Sequence, residues 1–532
     1  MAEKIQGAKI ICKGGLDSSL NYLELSEQAP GSAVRLLNYE PSLFGGYRRI
    51  DGFQPYIEQH PEVDPGNAEG RILCVAIYGE WIITARKKIG SDTYSYYFSS
   101  SNSGWIEQAT TYEFDSTGVE KIRWATYNFN GTEKIMFVDG RNPPVIFNGV
   151  DWNQVTLDGT GNAENRAGGD QLIQRPRYIT VFMNHIFLSG DMTYPNVVAH
   201  SAPLADHDWK VASGAGQIAA GFMVNQIKPF RETLFVFGRN EIKKITVNNT
   251  TFVINDVTNN MGCIAPDSVV EINGDLLFLA PDGVRPVSAT DRIGDVELAS
   301  VSKRIHQIMK EFIDGHSLTE VTATVVSAKS QVRFFFSEST DPQGTSEGIV
   351  GGLRDSDAGS VWEWGELRGF KVATVCSGYI GRREVIIHGD YDGRVYRQET
   401  GNTLDGAPIP HLYQTPFFDF GDTQIRKTIR KLTVFTRPEG ALDLAISITQ
   451  DWGDIWSILP NGYIVKTRGN PSFYGQVRYD EGAVYGGVSS PTMFTNVEGS
   501  SFSVQFTFSG LGDGPSHTIQ GLVVDFTADG RI

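Results

Sequence analysis

A short unit of two strands joined by a glycine turn recurs through the middle of the chain, with different side chains each time. Residues 232–245, 274–287 and 383–396 each contain an apolar run, a turn and a second strand-like run. The Asp-Gly pairs at 282–283 and 392–393 supply the positive φ that a tight hairpin needs. Hairpins repeated over hundreds of residues without helices between them predict a radial or stacked all-β architecture. Such an architecture favours a scaffold or a binding surface over an enzyme.

The spacing of these units predicts a β-propeller-like body. Between residues 61 and 405 the strand runs fall into about six groups, spaced as the blades of a propeller are. Residues 1–60 show weak periodicity and are broken repeatedly by glycine pairs, so they are expected to form an extended N-terminal arm. We therefore predict about six blades preceded by an arm.

The last part of the chain has a different pattern. Three prolines between residues 408 and 416 predict a linker. The strands that follow are longer, and they alternate cleanly between polar and apolar residues, as in 442–449 and 502–508. Half-buried antiparallel strands over this length predict a C-terminal β-sandwich domain over residues 406–532.

One segment departs from the strand pattern. Its apolar residues recur at steps of three and four, which predicts an amphipathic helix of about four turns embedded in the propeller. Ser300 or Ser302 would begin this helix, and residues 314–315 would end it. The helix would pack on its own domain or on a neighbouring subunit. The apolar positions are Leu298, Val301, Ile305, Ile308 and Phe312.

The net charge and the cysteine content exclude some classes of function for this protein. The formal net charge of −16 argues against a protein that grips DNA by its phosphates, although a negative wall could let DNA slide past. The four cysteines form no closely spaced pair, which argues against a zinc site and favours synthesis in a reducing cytoplasm. No run of 18 apolar residues and no signal-peptide core are present, so we expect no membrane span. The cysteines are Cys12, Cys74, Cys263 and Cys376.

Several polar clusters are candidates for functional sites. His207 lies between Asp206 and Asp208, with His185 and His200 nearby in sequence, but this spacing matches no metal motif. The acidic loops at 355–357 and 451–454 lack the alternation of a calcium loop and are expected to be structural turns. No nucleotide-binding or nucleophile motif is present. We therefore predict no enzyme activity and no catalytic, cofactor-binding or metal residues.

Two further patterns were open to a binding or a structural interpretation. Strand alternation in the basic run 426–431 would place Lys427 and Lys431 on one face, either as a positive stripe or as solvated edge residues. Trp362 and Trp364 share one strand face, where they could stack on a ligand or pack inside a blade.

Three motifs resemble a known family. The first motif is the segment 38–53, which contains paired glycines and paired arginines. The second motif runs from residue 262 through 274–287 to the predicted helix, and the third is the segment 389–396. In this order they resemble the tail nozzle or hub proteins of short-tailed bacteriophages, also called packaged-DNA stabilisation proteins. The order of arm, propeller-like body, embedded helix and C-terminal β domain covers nearly the whole chain.

The resemblance implies a structural protein of the virion tail, made in the host cytoplasm. It implies a homo-oligomer, a hexameric ring below the portal and the tail adaptor or head-completion protein. Double-stranded DNA would pass through its channel without sequence-specific binding and be retained until ejection. Tail fibre, spike or needle proteins would attach to it. No catalytic residue and no cofactor come with this family.

A second function stays open at the level of the sequence. The chain could be a carbohydrate-binding or glycan-cleaving β-propeller protein, an adhesin or a glycosidase, with exposed aromatics such as Trp105 or Trp209 beside loop acids. A sugar cleft holding two close carboxylates would favour it. A symmetric ring contact through residues 1–60 and 298–314 would favour the structural subunit.

Overall fold

The structure is a computed structural model. It describes residues 5–58, 62–63, 70–88, 90–99, 103–161, 168–249, 251–288, 300–337, 346–356, 359–440, 442–453, 462–466, 471–472, 484–485 and 492–531. Nearly all regular structure in these residues is strand, which confirms the all-β prediction. None of the helices in this part of the chain is long and apolar enough to cross a lipid bilayer.

The strands of the first half of the chain are short, and most pair with their neighbours in sequence. One helix precedes the second strand, α1 (Tyr22–Gln28), and begins after Asn21, whose side chain accepts the N–H groups of Leu23 and Glu24. The strands are β1 (Gln6–Ile11), β2 (Arg35–Leu37), β3 (Tyr39–Pro41), β4 (Tyr47–Arg49), β5 (Phe53–Pro55), β6 (Ile72–Tyr78), β7 (Trp81–Lys87), β8 (Thr93–Ser99), β9 (Ile106–Glu107), β10 (Phe114–Asp115), β11 (Arg123–Tyr127), β12 (Lys134–Val138), β13 (Val145–Phe147), β14 (Trp152–Gln154), β15 (Gly168–Gly169), β16 (Tyr178–Phe182), β17 (His185–Ser189), β18 (Val197–His200), β19 (Asp208–Trp209), β20 (Gly216–Ala219), β21 (Gln226–Phe230), β22 (Thr233–Phe237), β23 (Ile242–Asn248), β24 (Thr251–Thr258), β25 (Val270–Ile272), β26 (Asp275–Ala280) and β27 (Gly283–Pro286).

The strands of the second half include the longest in the protein. A second helix, α2 (His306–Gly315), precedes them, and 3-10 turns lie at Val211–Ser213, Lys303–Ile305, Ser327–Lys329 and Asp451–Gly453. The strands are β28 (Thr322–Val326), β29 (Gln331–Phe336), β30 (Ser346–Ser356), β31 (Gly359–Phe370), β32 (Thr374–Ile380), β33 (Arg383–Gly389), β34 (Val395–Gln398), β35 (Thr403–Leu404), β36 (Ala407–Gln414), β37 (Ile425–Pro438), β38 (Asp443–Gln450), β39 (Tyr463–Lys466), β40 (Pro471–Ser472), β41 (Val484–Tyr485), β42 (Thr492–Asn496), β43 (Ser500–Ser501), β44 (Val504–Gly512) and β45 (His517–Arg531).

The propeller-like arrangement is confirmed. Five small sheets of three to five strands follow one another along the chain: β6–β10, β11–β14, β16–β18 with β20, β21–β24 and β25–β27. Two further groups, β28–β31 and β32–β34, belong to one large 14-stranded sheet. The blades that form separate sheets number five, one fewer than the predicted six. The difference arises because the last groups of strands are part of the large sheet and are not separate sheets. The first strands of all seven groups line one central cavity.

The N-terminal arm pairs with sheets made by later residues. Strand β5 pairs with β34 and so adds an N-terminal strand to the last group of the propeller. Strand β1 pairs with β45, and β2 pairs with both β31 and β36. The arm therefore ties the propeller to the C-terminal strands of the same chain.

Two sheets pack face to face at the C-terminal end, as the sandwich prediction requires. One contains β37, β42 and β45 with β1, β3 and β4 from the arm; the other contains β36, β38 and β44. Their inner faces meet in one core, to which alternate residues of each strand contribute. This core includes Leu432, Val434, Leu522 and Val524 from the first sheet and Leu444, Ile446, Phe506 and Phe508 from the second.

The predicted linker is wrong. Residues 407–414 form strand β36, which pairs with β2 on one side and β44 on the other. Two of the three prolines, Pro408 and Pro410, lie in the first half of this strand. The propeller strands and the C-terminal strands are thus continuous in the large sheet, since β36 belongs to both.

The predicted helix begins later than its pattern suggests. A 3-10 turn at Lys303–Ile305 leads into α2, which ends at Gly315 as predicted. Ile305, Met309 and Phe312 are buried in the core shared with the sandwich, so the helix packs on its own subunit. The side chain of Ser302 makes no helix cap and instead accepts the N–H of Val284. Leu298 lies outside the described residues.

Candidate functional site

The central cavity has a volume of about 660 Å³ and a polar wall. Because it is formed by the first strand of each propeller group, side chains distant in sequence meet there. Seven hydroxyl-bearing residues contribute to the lining, and Thr324 has a buried hydroxyl with no hydrogen-bond partner in the described part of the chain. The threonine and serine residues are Thr126, Thr180, Thr322, Thr324, Ser327, Thr374 and Ser377.

Asp267 is the centre of an ion cluster in this cavity. Its carboxylate accepts from Nε and Nη2 of Arg123 at 2.7 and 2.8 Å, and it lies 3.4 Å from Nζ of Lys121. Burial raises the pKa of Asp267, but attraction to Arg123 and Lys121 outweighs burial and lowers this pKa to about 2. Such a carboxyl group stays ionised at neutral pH, so it is poorly suited to act as a general acid.

Lys228 lines the same cavity without an ion pair or hydrogen bond to any described residue. Burial lowers the pKa of Lys228, and attraction to Glu271 and Asp267 only partly opposes this effect. In contrast, Lys121 donates to the carbonyl oxygens of Glu320 and Val321 at 3.0 and 2.9 Å. The two lysines therefore differ in partners although they share one cavity.

This difference predicts opposite effects of the same substitution. Lys228→Met is expected to raise the free energy of unfolding at pH 7 by about 1 kcal/mol, because a desolvated amine without a partner is removed. Lys121→Met should lower it by about 2 kcal/mol, since two carbonyl oxygens lose their donor. Urea unfolding of both variants measures the two changes. Equal destabilisation by both would show that Lys228 is held by a partner in solution.

The cluster around His207, whose spacing matches no metal motif, is partly buried. Asp206 is buried and accepts from the Tyr127 hydroxyl at 3.0 Å, Lys134 Nζ at 2.9 Å and His207 Nδ1 at 2.8 Å. His185 binds the carbonyl of Ser201 through Nδ1. These contacts tie loops to strands. The described residues contain no group of three or more His, Cys, Asp or Glu placed to hold a metal ion.

The acidic loop at 451–454 acts as a structural turn where the structure describes it. Asp451 accepts the backbone N–H groups of Phe502 at 2.7 Å and of Ser503 at 3.4 Å. Residue 454 lies outside the described residues, as do residue 357 and the side chains of 355 and 356 in the other acidic loop.

The predicted pairing of Lys427 with Lys431 on one strand face is wrong. A bulge between Ile429 and Lys431 shifts the register of β37 and breaks the alternation. Lys427 is buried and donates to the carbonyl oxygens of Asp422 and Phe502, whereas Lys431 lies 4.6 Å from the ring centre of Phe494. The basic run therefore forms no continuous positive stripe.

The tryptophans considered as ligand platforms pack inside the protein. Trp362 and Trp364 do stack, with ring centres 5.6 Å apart, but Trp364 is buried and its Nε1 donates to Val301 at 2.9 Å. Trp209 is also buried, so its expected exposure is wrong. Trp105 is half-buried and packs against the core near Tyr56.

The sequence patterns did not indicate an exposed apolar surface at the tip of the β3–β4 hairpin. Leu43 and Phe44 are 61% and 71% exposed, and they share a hollow of about 480 Å³ with Ile11, which is 52% exposed. The guanidinium group of Arg437 lies 4.3 Å from the ring centre of Phe44. We call Ile11, Leu43 and Phe44 the hairpin patch. Two apolar residues next to Gly45 and Gly46 in a turn were the available signal.

The hairpin is held on a buried base. Tyr47 is fully buried, its hydroxyl donating to the carbonyl of Gly31 at 2.7 Å and accepting from Gly15 N–H at 3.0 Å. Gly46 has φ of +85°, and a Cβ there would lie 2.9 Å from the backbone carbon of Ile519. The segment 38–53 thus joins the propeller to the sandwich and exposes the hairpin patch to solvent.

No family model and no curated protein sequence matches the chain. Similar solved structures include an ancestral GH74 enzyme, at 9% identity and a TM-score of 0.44, matched over 64% of this chain and 49% of that one. The extracellular domain of a one component system from B. thetaiotaomicron is similar at 8% identity and a TM-score of 0.38, over 71% of this chain and 43% of that one. The Neurospora crassa Pan2 WD40 domain is similar at 7% identity and a TM-score of 0.33, over 66% and 95%.

This chain spans about half the length of the GH74 enzyme and less than half of the B. thetaiotaomicron domain. These likenesses neither assign an activity to this chain nor exclude one.

Proposed function

We propose that this protein is a structural subunit of the tail of a short-tailed bacteriophage. It would form a nozzle or hub ring below the portal and adaptor, carry part of the DNA channel and retain packaged DNA until ejection. Fibres or spikes would attach to its outer surface. The observation that supports this proposal is the hairpin patch. Two of its residues, Leu43 and Phe44, lie within the segment 38–53, which also carries the family resemblance.

Exposed apolar side chains on a rigid base favour a protein contact. Solvent-exposed Leu43 and Phe44 would be removed from water in such a contact, and the fixed hairpin loses little conformational entropy on binding. The neighbouring Arg437 adds a side chain type that is enriched at the centres of interfaces. We assign the hairpin patch to the contact between neighbouring subunits.

The charge of the chain fits a passage for DNA. At −16 per subunit, a ring of about six copies would repel the phosphates of double-stranded DNA. Weak attachment to the wall suits a duplex that must slide through during ejection. This argument concerns passage and needs no sequence-specific contact.

The mass of the purified chain in solution tests the proposal. We expect light scattering and electron microscopy to show rings, formed by the chain alone or on a portal–adaptor assembly. Replacing Leu43 and Phe44 together by serine should prevent ring formation, while the folded monomer keeps its unfolding midpoint. The double substitution of Val150 and Met223 by serine removes apolar surface that is exposed elsewhere and should leave the rings intact.

A chain that stays monomeric or dimeric with and without a portal–adaptor assembly would contradict the proposal. The carbohydrate alternative would then be assayed by glycan binding and hydrolysis. That alternative has lost Trp209 as an exposed platform, because the side chain is buried.

A further inference from the structure

A second hollow, of about 600 Å³, lies between the β11–β14 sheet and the sheet of β16–β18 and β20. It is lined by the loop after β10, the β12–β13 turn, the segment before β16 and the β17–β18 turn. In antiparallel sheets alternate turns lie at the same end, so these four loops meet on one face of the propeller. We call this hollow the arginine pocket, after Arg141, Arg175 and Arg177 in its wall.

Two of the three arginines have no side-chain partner among the described residues. Arg141 forms an ion pair with Asp115, with Nη2 at 2.6 Å. The guanidinium groups of Arg175 and Arg177 make no hydrogen bond or ion pair with any residue that the structure describes. Because a guanidinium group offers five donors, two such groups in one hollow leave a strong capacity to bind oxyanions.

The backbone of Arg177 is fixed on several sides. Its N–H donates to Ser189 O at 2.9 Å, and its carbonyl accepts from Arg123 Nη1 at 3.3 Å. Its side chain lies against Gly140, where φ is +80° and a Cβ would come within 2.7 Å of Arg177 Nε. The side chain is therefore oriented before any ligand arrives.

The acidic residues of the pocket, Asp139 and Asp191, are occupied by its own loops, and Asp139 accepts the N–H groups of Arg141 and Asn142 at 2.8 and 2.7 Å. Asp191 accepts the backbone N–H groups of Gln174, Arg175, Thr193 and Tyr194 at 2.8, 2.7, 2.7 and 3.4 Å. Burial raises the pKa of Asp191, but these backbone hydrogen bonds outweigh burial and lower it. The carboxylate thus holds together the two loops that carry Arg175 and the apolar rim.

The rim of the pocket is apolar. Leu172, Met192 and Tyr194 are 49%, 73% and 37% exposed. Leucine and the flexible methionine adapt to side chains of varied shape, as the surfaces of adaptable protein-binding sites do. The rim therefore favours a polypeptide over a glycan.

We infer that the arginine pocket binds an acidic segment of a partner protein that also carries a bulky apolar side chain. A carboxylate of the partner meets the unpaired guanidinium groups, and the apolar side chain packs on Met192 and Leu172. Charge complementarity supports this assignment, since two guanidinium groups without a partner among the described residues share one hollow on a chain of net charge −16. The inference rests on the proposed function, in which other tail proteins attach to the subunit.

Fluorescence anisotropy with a labelled peptide of Glu, Asp and Leu residues tests the inference on the full chain. Replacing Arg175 and Arg177 together by glutamine should weaken binding at least tenfold, roughly the loss expected for charge-assisted hydrogen bonds. The matched control replaces Arg382 and Arg383, exposed in the β32–β33 turn, by glutamine and should leave affinity unchanged. Raising the salt concentration should weaken binding to the unaltered chain.

Two further variants separate the effect of the geometry of the Arg177 guanidinium group on peptide affinity from the effect of its charge. Arg177→Lys keeps the charge but loses the planar guanidinium, so it should bind several-fold more weakly than the unaltered chain. Gly140→Ala should displace the Arg177 side chain and weaken binding, with circular dichroism confirming that the variant is folded.

Equal affinity of the Arg175/Arg177 variant and the Arg382/Arg383 variant would overturn the inference. So would tighter binding of an acidic oligosaccharide or a DNA duplex than of the peptide at equal salt. The peptide assay does not depend on ring formation. Specific peptide binding without rings would therefore count only against the proposed function, and rings without peptide binding only against the pocket.

Discussion

Glu40→Gln is expected to lower the free energy of unfolding by about 3 kcal/mol, as the loss of one partner in a buried ion cluster does. Glu40 is 1% exposed, and its carboxylate lies 3.2 Å from Arg48, 2.7 Å from Lys329 and 3.2 Å from Arg333. The substitution keeps the volume and removes the charge that three cations share. Among the described residues, Arg333 would then keep only Glu399 as an ion-pair partner.

Urea unfolding measures this loss, and Glu113→Gln at an exposed position is the matched control. The double variant Glu40→Gln with Arg333→Met should lose less stability than the two single variants add up to, because the cation and its partner leave together. A loss below about 1 kcal/mol for Glu40→Gln would mean that water solvates the three cations in place of the carboxylate. The ion cluster would then behave like a solvent-exposed salt bridge and not like a buried one.

Lowering the pH from 7 to 4 is expected to destabilise the protein by about 3 kcal/mol through His411 alone. His411 is 6% exposed, and burial lowers its pKa to about 4. A histidine in the unfolded chain has a pKa of about 6.5. The unfolded chain therefore binds more protons between these values, so the stability present above pH 6.5 is lost as the pH falls towards 4.

Two other buried histidines act in the same direction. Burial lowers the pKa of His388 to about 3 and that of His517 well below its ordinary value. His517 lies beside His411, with ring centres 5.3 Å apart, and its Nε2 lies 2.8 Å from the Tyr39 hydroxyl. This pair joins the arm to β36 and β45, so acid should first loosen the joint between arm and sandwich.

The unfolding free energy measured at several pH values checks this expectation. His411→Gln should flatten the curve between pH 6.5 and 4 by about 3 kcal/mol relative to the unaltered chain. His306→Gln, at an exposed position on α2, is the control for a histidine substitution, in which the fall in stability attributed to His411 should remain. An unaltered slope in the His411 variant would show that the titration arises elsewhere. The lowered pKa of Asp267 places the loss of its stabilising contribution mainly below pH 4, beneath this window.

The fold class followed from local patterns, whereas the functional surfaces did not. Glycine turns and alternating strands predicted the propeller-like body and the sandwich, because hairpin pairing and one-sided burial are local properties. The Lys427–Lys431 stripe failed because a bulge is set by the partner strand. Likewise, Arg175 and Arg177 carry no sequence signal, since whether an arginine is paired depends on loops that meet only after folding.

What the sequence determined by itself is the kind of element and its direction of burial: strands, tight turns and one amphipathic helix, each encoded within a few residues. Only the tertiary structure decided which strands join. It placed β5 of the arm beside β34, made residues 407–414 a shared strand instead of a linker, and gathered Glu40, Lys329 and Glu399 into one ion cluster. The physical reason is that pairing and burial of distant residues depend on total core packing, which no local pattern specifies.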